Sequence, residues 1–81
     1  MKLTGNTIKL KSRNIALELD NDLTDEDEDA FEKWLTTTGL TGIIELSQVD
    51  VSVFYEDYYV PIIVIPRNRK KLVTLCKLKW S

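Results

Sequence analysis

The sequence predicts an α+β fold in which a single antiparallel sheet of about five strands is crossed by one amphipathic helix. Two observations lead to this prediction. Apolar and polar residues alternate in much of the chain before residue 20 and after residue 42, whereas residues 25–38 space their apolar side chains by three and four positions. We therefore expect the element order β-β-α-β-β-β within one domain, residues 1–81.

The first two strands are predicted at residues 7–11 and 15–20, because both segments alternate with the two-residue period of a half-buried strand. Residues 12–14, Ser-Arg-Asn, have the polar composition of a turn, so the two strands should form an antiparallel hairpin. Gly5 and Asn6 could form a further tight turn after a short strand at residues 1–4; the alternative is that residues 1–4 fray.

The helix is predicted at residues 25–38. Thr24 is the expected N-cap, and Asp27 stands at the third helical position, where its carboxylate completes a capping box. Gly39 is suited to the left-handed conformation that ends a helix. The apolar stripe of the helix consists of Ala30, Phe31, Trp34 and Leu35. The stripe should pack on the sheet against later valines and isoleucines and against four leucines, Leu10, Leu17, Leu19 and Leu46.

A third strand is predicted to begin at residues 43–46. The apolar positions then change from even to odd numbers in residues 49–55, so we expect a bulge or turn near Ser47 and Gln48. The next segment, residues 58–65, is apolar on both faces.

The last part of the chain is predicted to be two strands, residues 58–65 and 72–80. Glu56 and Asp57 are expected at the tip of the hairpin that precedes them. Pro61 lacks the N–H that a central ladder needs, so its strand is expected at a sheet edge or at a bulge.

The composition excludes several classes of protein. Cys76 is the single cysteine and the chain has no histidine, so an internal disulfide, a Cys/His zinc site and a Cys–His nucleophile are all ruled out. Paired carboxylates can serve as acid and base, but a chain of 81 residues leaves little room for a substrate cleft. We therefore expect a protein that is not an enzyme and that requires no cofactor.

Two features bear on the compartment. No apolar run approaches the roughly 18 residues of a membrane span, and residues 1–4 lead into alternating Lys and Leu without the apolar region of a signal peptide. We expect a small cytoplasmic protein without membrane contact. Because a chain of 81 residues is close to the lower limit for a single stable core, a homodimer is also considered.

The charges are strongly segregated along the chain. Residues 1–17 carry a net charge of +4, residues 18–57 one of −12, and residues 58–81 one of +6, although the whole chain is only −2. A fold that brings the basic strands together would make a dipolar molecule.

The acidic run is the main candidate for a binding surface. Its carboxylates are Asp20, Asp22, Asp25, Glu26, Asp27, Glu28, Asp29 and Glu32. Carboxylates on a rigid helix can imitate the phosphates of a nucleic acid strand and occupy the basic groove of a larger protein, such as a nucleic-acid-processing enzyme. Such nucleic-acid mimicry is the style of small phage and mobile-element inhibitors, an analogy of size and charge only.

The acidic run also has two simpler interpretations. The sequence does not match a calcium-binding loop of the EF-hand type. Asp25 occupies the position where that loop needs glycine, and Phe31 the position where it needs a bidentate glutamate. The carboxylates could also do no more than solvate and cap the helix start.

Two further hypotheses concern other segments. The basic residues of the C-terminal third could contact phosphate while Tyr58, Tyr59 or Trp80 stacks on bases; the adjacent acidic segment argues against this, so no direct nucleic acid contact is expected. The alternative function is a structural or assembly protein that oligomerises through the strand at residues 58–65.

Overall fold

The computed structural model describes residues 1–20, 22–50 and 58–81, which form a four-stranded antiparallel sheet and two α-helices. In chain order the elements are β1 (Leu3–Lys9), β2 (Ile15–Leu19), α1 (Asp25–Thr38), β3 (Glu45–Asp50), β4 (Tyr59–Ile65) and α2 (Lys71–Trp80). The strands lie in the order β1-β2-β4-β3, and every neighbouring pair is antiparallel. The predicted α+β fold with a single antiparallel sheet is confirmed, with four strands instead of five.

Helix α1 begins and ends where the sequence predicts. Thr24 Oγ1 accepts a hydrogen bond from the Asp27 N–H at 3.1 Å, and Asp27 Oδ2 accepts one from the Thr24 N–H at 3.2 Å. This reciprocal pair is a complete capping box. At the other end Gly39 has φ 73° and donates its N–H to the carbonyls of Leu35 and Thr36.

The predicted last strand is wrong, because residues 71–80 form helix α2. Leu72, Cys76 and Trp80 are four residues apart, and this spacing fits one face of a strand as well as one row of a helix. Val73, which breaks strict alternation, packs on the same core as these three. A buried stripe that includes neighbouring residues such as Leu72 and Val73 is typical of a helix.

Both helices pack on the same face of the sheet through a group of three aromatic rings. The ring centroids of Phe31 and Trp34 are 5.7 Å apart, those of Phe31 and Trp80 5.9 Å, and those of Trp34 and Trp80 5.7 Å. Tilted and edge-on pairs at such distances are favourable geometries for aromatic rings. The buried residues of this core are Leu17, Leu19, Phe31, Leu35, Leu40, Ile44, Ile63, Ile65, Cys76 and Trp80. Ala30, expected in the apolar stripe of α1, is exposed instead.

A second, smaller apolar cluster lies on the other face of the sheet, where Ala16, Val60 and Ile62 are buried. The expected contact of Leu10 with the helix is wrong, because Leu10 packs against this second cluster. Leu17, Leu19 and Leu46 do belong to the core that contains α1.

Because both faces of the sheet carry apolar clusters, the apolar residues of β3 change from even to odd positions without a bulge. The strand pairs with β4 in unbroken register from Glu45 opposite Val64 to Asp50 opposite Tyr59, so the bulge expected near Ser47 and Gln48 is wrong. Leu46 packs on the helix side and Val49 on the second cluster, since side chains alternate between the faces. The rest of the strand predicted at residues 49–55, and the hairpin tip expected at residues 56–57, lie outside the described residues.

Two turn and edge predictions are also wrong. Gly5 and Asn6 lie inside β1, where the register with β2 shifts between Leu3 and Thr7 and Gly5 has φ 92°, so the site is a bulge and not a turn. Pro61 lies in β4, an interior strand. The pairing of β4 with β2 ends at Ile62, so Pro61 has a paired residue only in β3, and the missing N–H falls where one neighbour has already ended.

We predict that Thr24→Ala lowers the free energy of unfolding by about 1 kcal/mol, because it leaves an N–H of the first turn of α1 without its acceptor. Thr37→Ala is the matched control, since Thr37 lies within the same helix and its hydroxyl donates to the Lys33 carbonyl at 2.8 Å. Alanine is the better helix former, so this control should leave stability unchanged or slightly raised. Urea unfolding of the three proteins measures the differences, and equal losses in both variants would contradict the capping role.

We also predict that Cys76 does not react with a thiol reagent at pH 8 in the folded protein. Its side chain is fully buried, and burial raises the pKa of the thiol to about 11, so little of the reactive thiolate is present. Reaction should become rapid in denaturant. Rapid labelling of the native protein, followed by absorbance, would show that α2 does not pack as described.

Candidate functional site

The acidic residues gather where β2 ends and α1 begins. Throughout, the name "acidic surface" denotes the eight carboxylates predicted above: Asp20, Asp22, Asp25, Glu26, Asp27, Glu28, Asp29 and Glu32. All are exposed except Asp27, which is half-buried. The structure therefore brings the predicted carboxylates to one region and leaves seven of them open to solvent.

The arrangement of these seven residues follows from the helix. Phe31 and Leu35 are the buried side chains of α1, so the outer face is opposite them. Asp25, Asp29 and Glu32 are related by steps of four and three residues, which places them in one row along the helix. Asp25 and Asp29 lie toward the outer face, whereas Glu32 lies at its edge and lines a groove beside Phe31. The negative charges of this row repel one another. Their position near the positive end of the helix dipole offsets part of that repulsion.

Asp27 differs from the other carboxylates because both of its oxygens have partners within the chain. Oδ2 accepts from the Thr24 N–H, and Oδ1 accepts from the Met1 ammonium group at 3.1 Å. The hydrogen bond from the Thr24 backbone and the contact with the Met1 ammonium hold the pKa of Asp27 below its ordinary value. Asp27 therefore stabilises the start of α1, and this occupies the oxygens that a partner would need.

A groove between α1 and β3 continues the acidic surface. It measures about 420 Å³ and has an apolar floor with a carboxylate rim. Its lining residues are Glu28, Phe31, Glu32, Leu35, Gly42, Ile44, Glu45 and Leu46. An adjoining hollow shares Glu28 and Leu46 and adds Tyr59, whose side chain is 52% exposed. The sequence gives no local signal for Tyr59, because only the pairing of β3 with β4 places it beside α1.

The basic residues collect mainly at the opposite end of the sheet. The β1–β2 turn and the β4–α2 turn are neighbours there, since Ile15 pairs with Ile65 and the Arg67 N–H donates to Asn14 Oδ1 at 3.4 Å. We define the "basic end" as Lys9, Lys11, Arg13, Arg67, Arg69, Lys70 and Lys71, all of which are exposed.

The aromatic residues proposed to stack on bases are not at the basic end. Trp80 is buried between the helices. Tyr59 pairs with Asp50 at the far end of β4, and Tyr58 precedes it in the chain. Lys79 Nζ lies over the Trp80 ring, 5.3 Å from its centroid, but this ring is buried. The structure therefore places none of the three proposed aromatic side chains where a base could stack beside the cations of the basic end.

Metal-ligand clusters and membrane-spanning helices are both absent from the described ranges. Within residues 1–20, 22–50 and 58–81, no three His, Cys, Asp or Glu side chains are placed to hold a metal ion. Within the same ranges no helix combines the length and the apolar character needed to cross a membrane. The candidate surfaces of this part of the chain are the acidic surface with its groove and the basic end.

We predict that Asp27→Asn reduces stability at neutral pH and that this difference from the natural protein disappears in acid. Because the pKa of Asp27 is lowered in the folded state from 3.8, its stabilisation is complete above that value and is lost as the pH falls through the folded pKa. Denaturant unfolding at several pH values measures the difference. Asp29→Asn removes the same charge from α1 without touching Thr24 or Met1, and it should cost little stability. A constant deficit of the Asp27 variant at every pH would contradict the prediction.

Comparison of the chain with known proteins adds no relative. No protein-family model matches it, and no curated protein or solved structure matches it either. The geometry and charges of this chain are therefore the basis for inferring its function.

Proposed function

We propose that the chain is a non-enzymatic binding protein whose acidic surface docks on a cationic, nucleic-acid-binding surface of a larger protein. One observation carries this proposal. Seven exposed carboxylates share one region, and none of them forms an ion pair with a lysine or arginine of the described residues. A surface with this much uncompensated negative charge attracts a basic partner and repels an acidic one.

The spacing of the carboxylates supports mimicry of a nucleic acid. Asp25 and Asp29 are about 6 Å apart along the helix axis, since each residue rises by about 1.5 Å. Every second phosphate of a DNA strand is about 6.8 Å further along the duplex axis. These intervals are measured along the axes only, since the phosphates of DNA wind around the duplex, and the feature that the two surfaces share is closely spaced negative charge that a basic groove can bind.

The groove between α1 and β3 supplies contacts that are not electrostatic. Charge pairs in water contribute mainly to the rate and selectivity of association, whereas a few buried apolar contacts contribute most of the affinity. Leu46 is half-buried and Tyr59 is exposed beside Glu28, so both are available to a partner that reaches past the carboxylate rim.

The test is a pull-down from a host lysate with the tagged chain as bait, washed at low and at high salt. We predict that the bait retains a nucleic-acid-binding protein at low salt, and that high salt or added duplex DNA releases it. The variant Asp25→Asn/Glu26→Gln/Asp29→Asn should bind at least about tenfold more weakly, because it removes three charges from the docking face.

A control variant separates the position of the charges from the net charge. Thr37→Lys/Thr41→Lys/Ser81→Lys changes the net charge by the same amount at exposed positions outside the acidic surface. This variant should retain the partner. If the acidic-surface variant retained it equally well, with an unchanged unfolding midpoint, the proposed docking surface would be wrong.

The strand order argues against the alternative of assembly by strand pairing through residues 58–65. β4 lies between β2 and β3, and its residues 62–64 pair with both neighbours, so this part of the strand has no free edge on which another strand could pair. Ile63 is fully buried, and Ile63→Lys would unfold the domain and could not test an interface. A homodimer stays a prediction, and the sheet edges available to it are β1 and β3.

A further inference from the structure

The basic end contains seven exposed cations from two turns that are far apart in the sequence. Lys9, Lys11 and Arg13 belong to the first turn and the end of β1, and the other four to the connection between β4 and α2. The hydrogen bond from the Arg67 N–H to Asn14 Oδ1 joins the two turns directly. The two groups of cations therefore lie on neighbouring turns, an arrangement that exists only in the folded chain.

This surface lacks anionic partners among the described residues. None of the seven cations forms an ion pair with a carboxylate of the described residues. Helix α2 starts at the same place without an acidic residue in its first turn and without a side-chain cap. Arg67, Arg69, Lys70 and Lys71 repel one another and are also repelled by the positive end of the α2 dipole. A bound anion would relieve this repulsion.

The shape of the basic end suits an extended anion. Residues 67–72 line an open hollow of about 740 Å³, and the cations of the first turn lie beside it. One small phosphate could engage only part of this surface. Cations spread over two neighbouring turns match a ligand with several phosphates in series.

We propose that the basic end binds the phosphate backbone of nucleic acid without reading its sequence. No aromatic side chain of residues 1–20, 22–50 and 58–81 belongs to the basic end, so none of these residues would add base stacking to the phosphate contacts. A membrane surface fits less well. The exposed large apolar side chains of the described residues are Tyr58, Tyr59, Leu75 and Leu78, none of which belongs to the basic end.

The acidic surface does not prevent this binding. β4 runs from the acidic side of the sheet to the basic end, and its seven residues span about 20 Å at the usual rise of a strand. The Debye length at 0.1 M salt is about 10 Å, so repulsion from the acidic surface is largely screened where the phosphates would lie. The expectation that the chain makes no direct nucleic acid contact depended on the overall acidity of the chain, with a sequence pI near 5.0, and on the adjacent acidic segment. The fold leaves the first ground unchanged and separates the acidic surface from the basic end.

The test measures binding of the full chain to a short labelled duplex DNA by fluorescence anisotropy at increasing salt. We predict a dissociation constant of about 10⁻⁴–10⁻⁶ M near physiological salt, equal for two unrelated sequences, with affinity falling linearly on a log–log plot. Arg67→Gln/Arg69→Gln/Lys70→Gln should weaken binding by at least about tenfold and reduce the salt slope by about 0.9 for each phosphate that the variant no longer neutralises. Lys9→Gln/Lys11→Gln should act in the same direction, since these side chains belong to the other turn.

The control is Lys2→Gln/Lys33→Gln/Lys77→Gln, which removes the same charge from exposed positions outside the basic end. It should bind DNA within about threefold of the natural chain, because distant charges are screened. Equal weakening by the control and the basic-end variant would overturn the inference. So would binding to anionic phospholipid vesicles, or salt-sensitive self-association of the chain, without binding to DNA.

This inference is independent of the proposed function, because DNA is the only ligand in the assay. The variant Asp25→Asn/Glu26→Gln/Asp29→Asn should bind DNA as tightly as the natural chain or slightly more tightly. Failure of DNA binding would therefore leave the docking of the acidic surface on a protein unaffected, and loss of that docking would leave the basic end unaffected.

Discussion

The position of β4 between β2 and β3 is the constraint on which the rest of the structure depends. Ile62, Ile63 and Ile65 are almost completely buried, and their side chains are divided between the two faces of the sheet. A strand of this kind must be central, because both of its faces are covered and its residues 62–64 pair with β2 on one edge and with β3 on the other. Once β4 is central, α2 returns across the same face as α1, and the aromatic rings of the two helices meet.

The same pairing separates the charges of the molecule. β2 and β4 are antiparallel, so the end of β2 that leads into α1 lies far from the end of β4 that leads into α2. The acidic surface forms at the first end and the basic end at the second. Attraction between opposite charges would favour mixing them, yet the strand directions keep them about 20 Å apart. The chain therefore presents two surfaces of opposite sign whose interaction is mostly screened.

Asp27 stabilises the start of α1, whereas the other carboxylates of the acidic surface are available for binding. Its carboxylate bonds to Thr24 and Met1, which lowers its pKa and secures the first turn. The neighbouring carboxylates of the acidic surface have no such ion pair within the described part of the chain, and they mainly repel one another. Natural proteins keep unfavourable surface charges of this kind where a function offsets their cost, and the acidic surface is consistent with that pattern.

Local patterns in the sequence account for the features that depend on neighbouring residues. They predict helix α1 to the residue, because the capping box at Thr24, the apolar stripe and Gly39 are local signals. The β1–β2 hairpin and the membership of the acidic surface are predictable for the same reason.

Contacts between distant segments decide the remaining features. A spacing of four residues in Leu72, Cys76 and Trp80 fits two periods, and only packing against Phe31 and Trp34 selects the helix. The central place of β4, the exposed Tyr59 beside α1 and the joining of two basic turns all depend on strand pairing. Pairing joins segments far apart in the chain, and a local pattern does not encode which segments will meet.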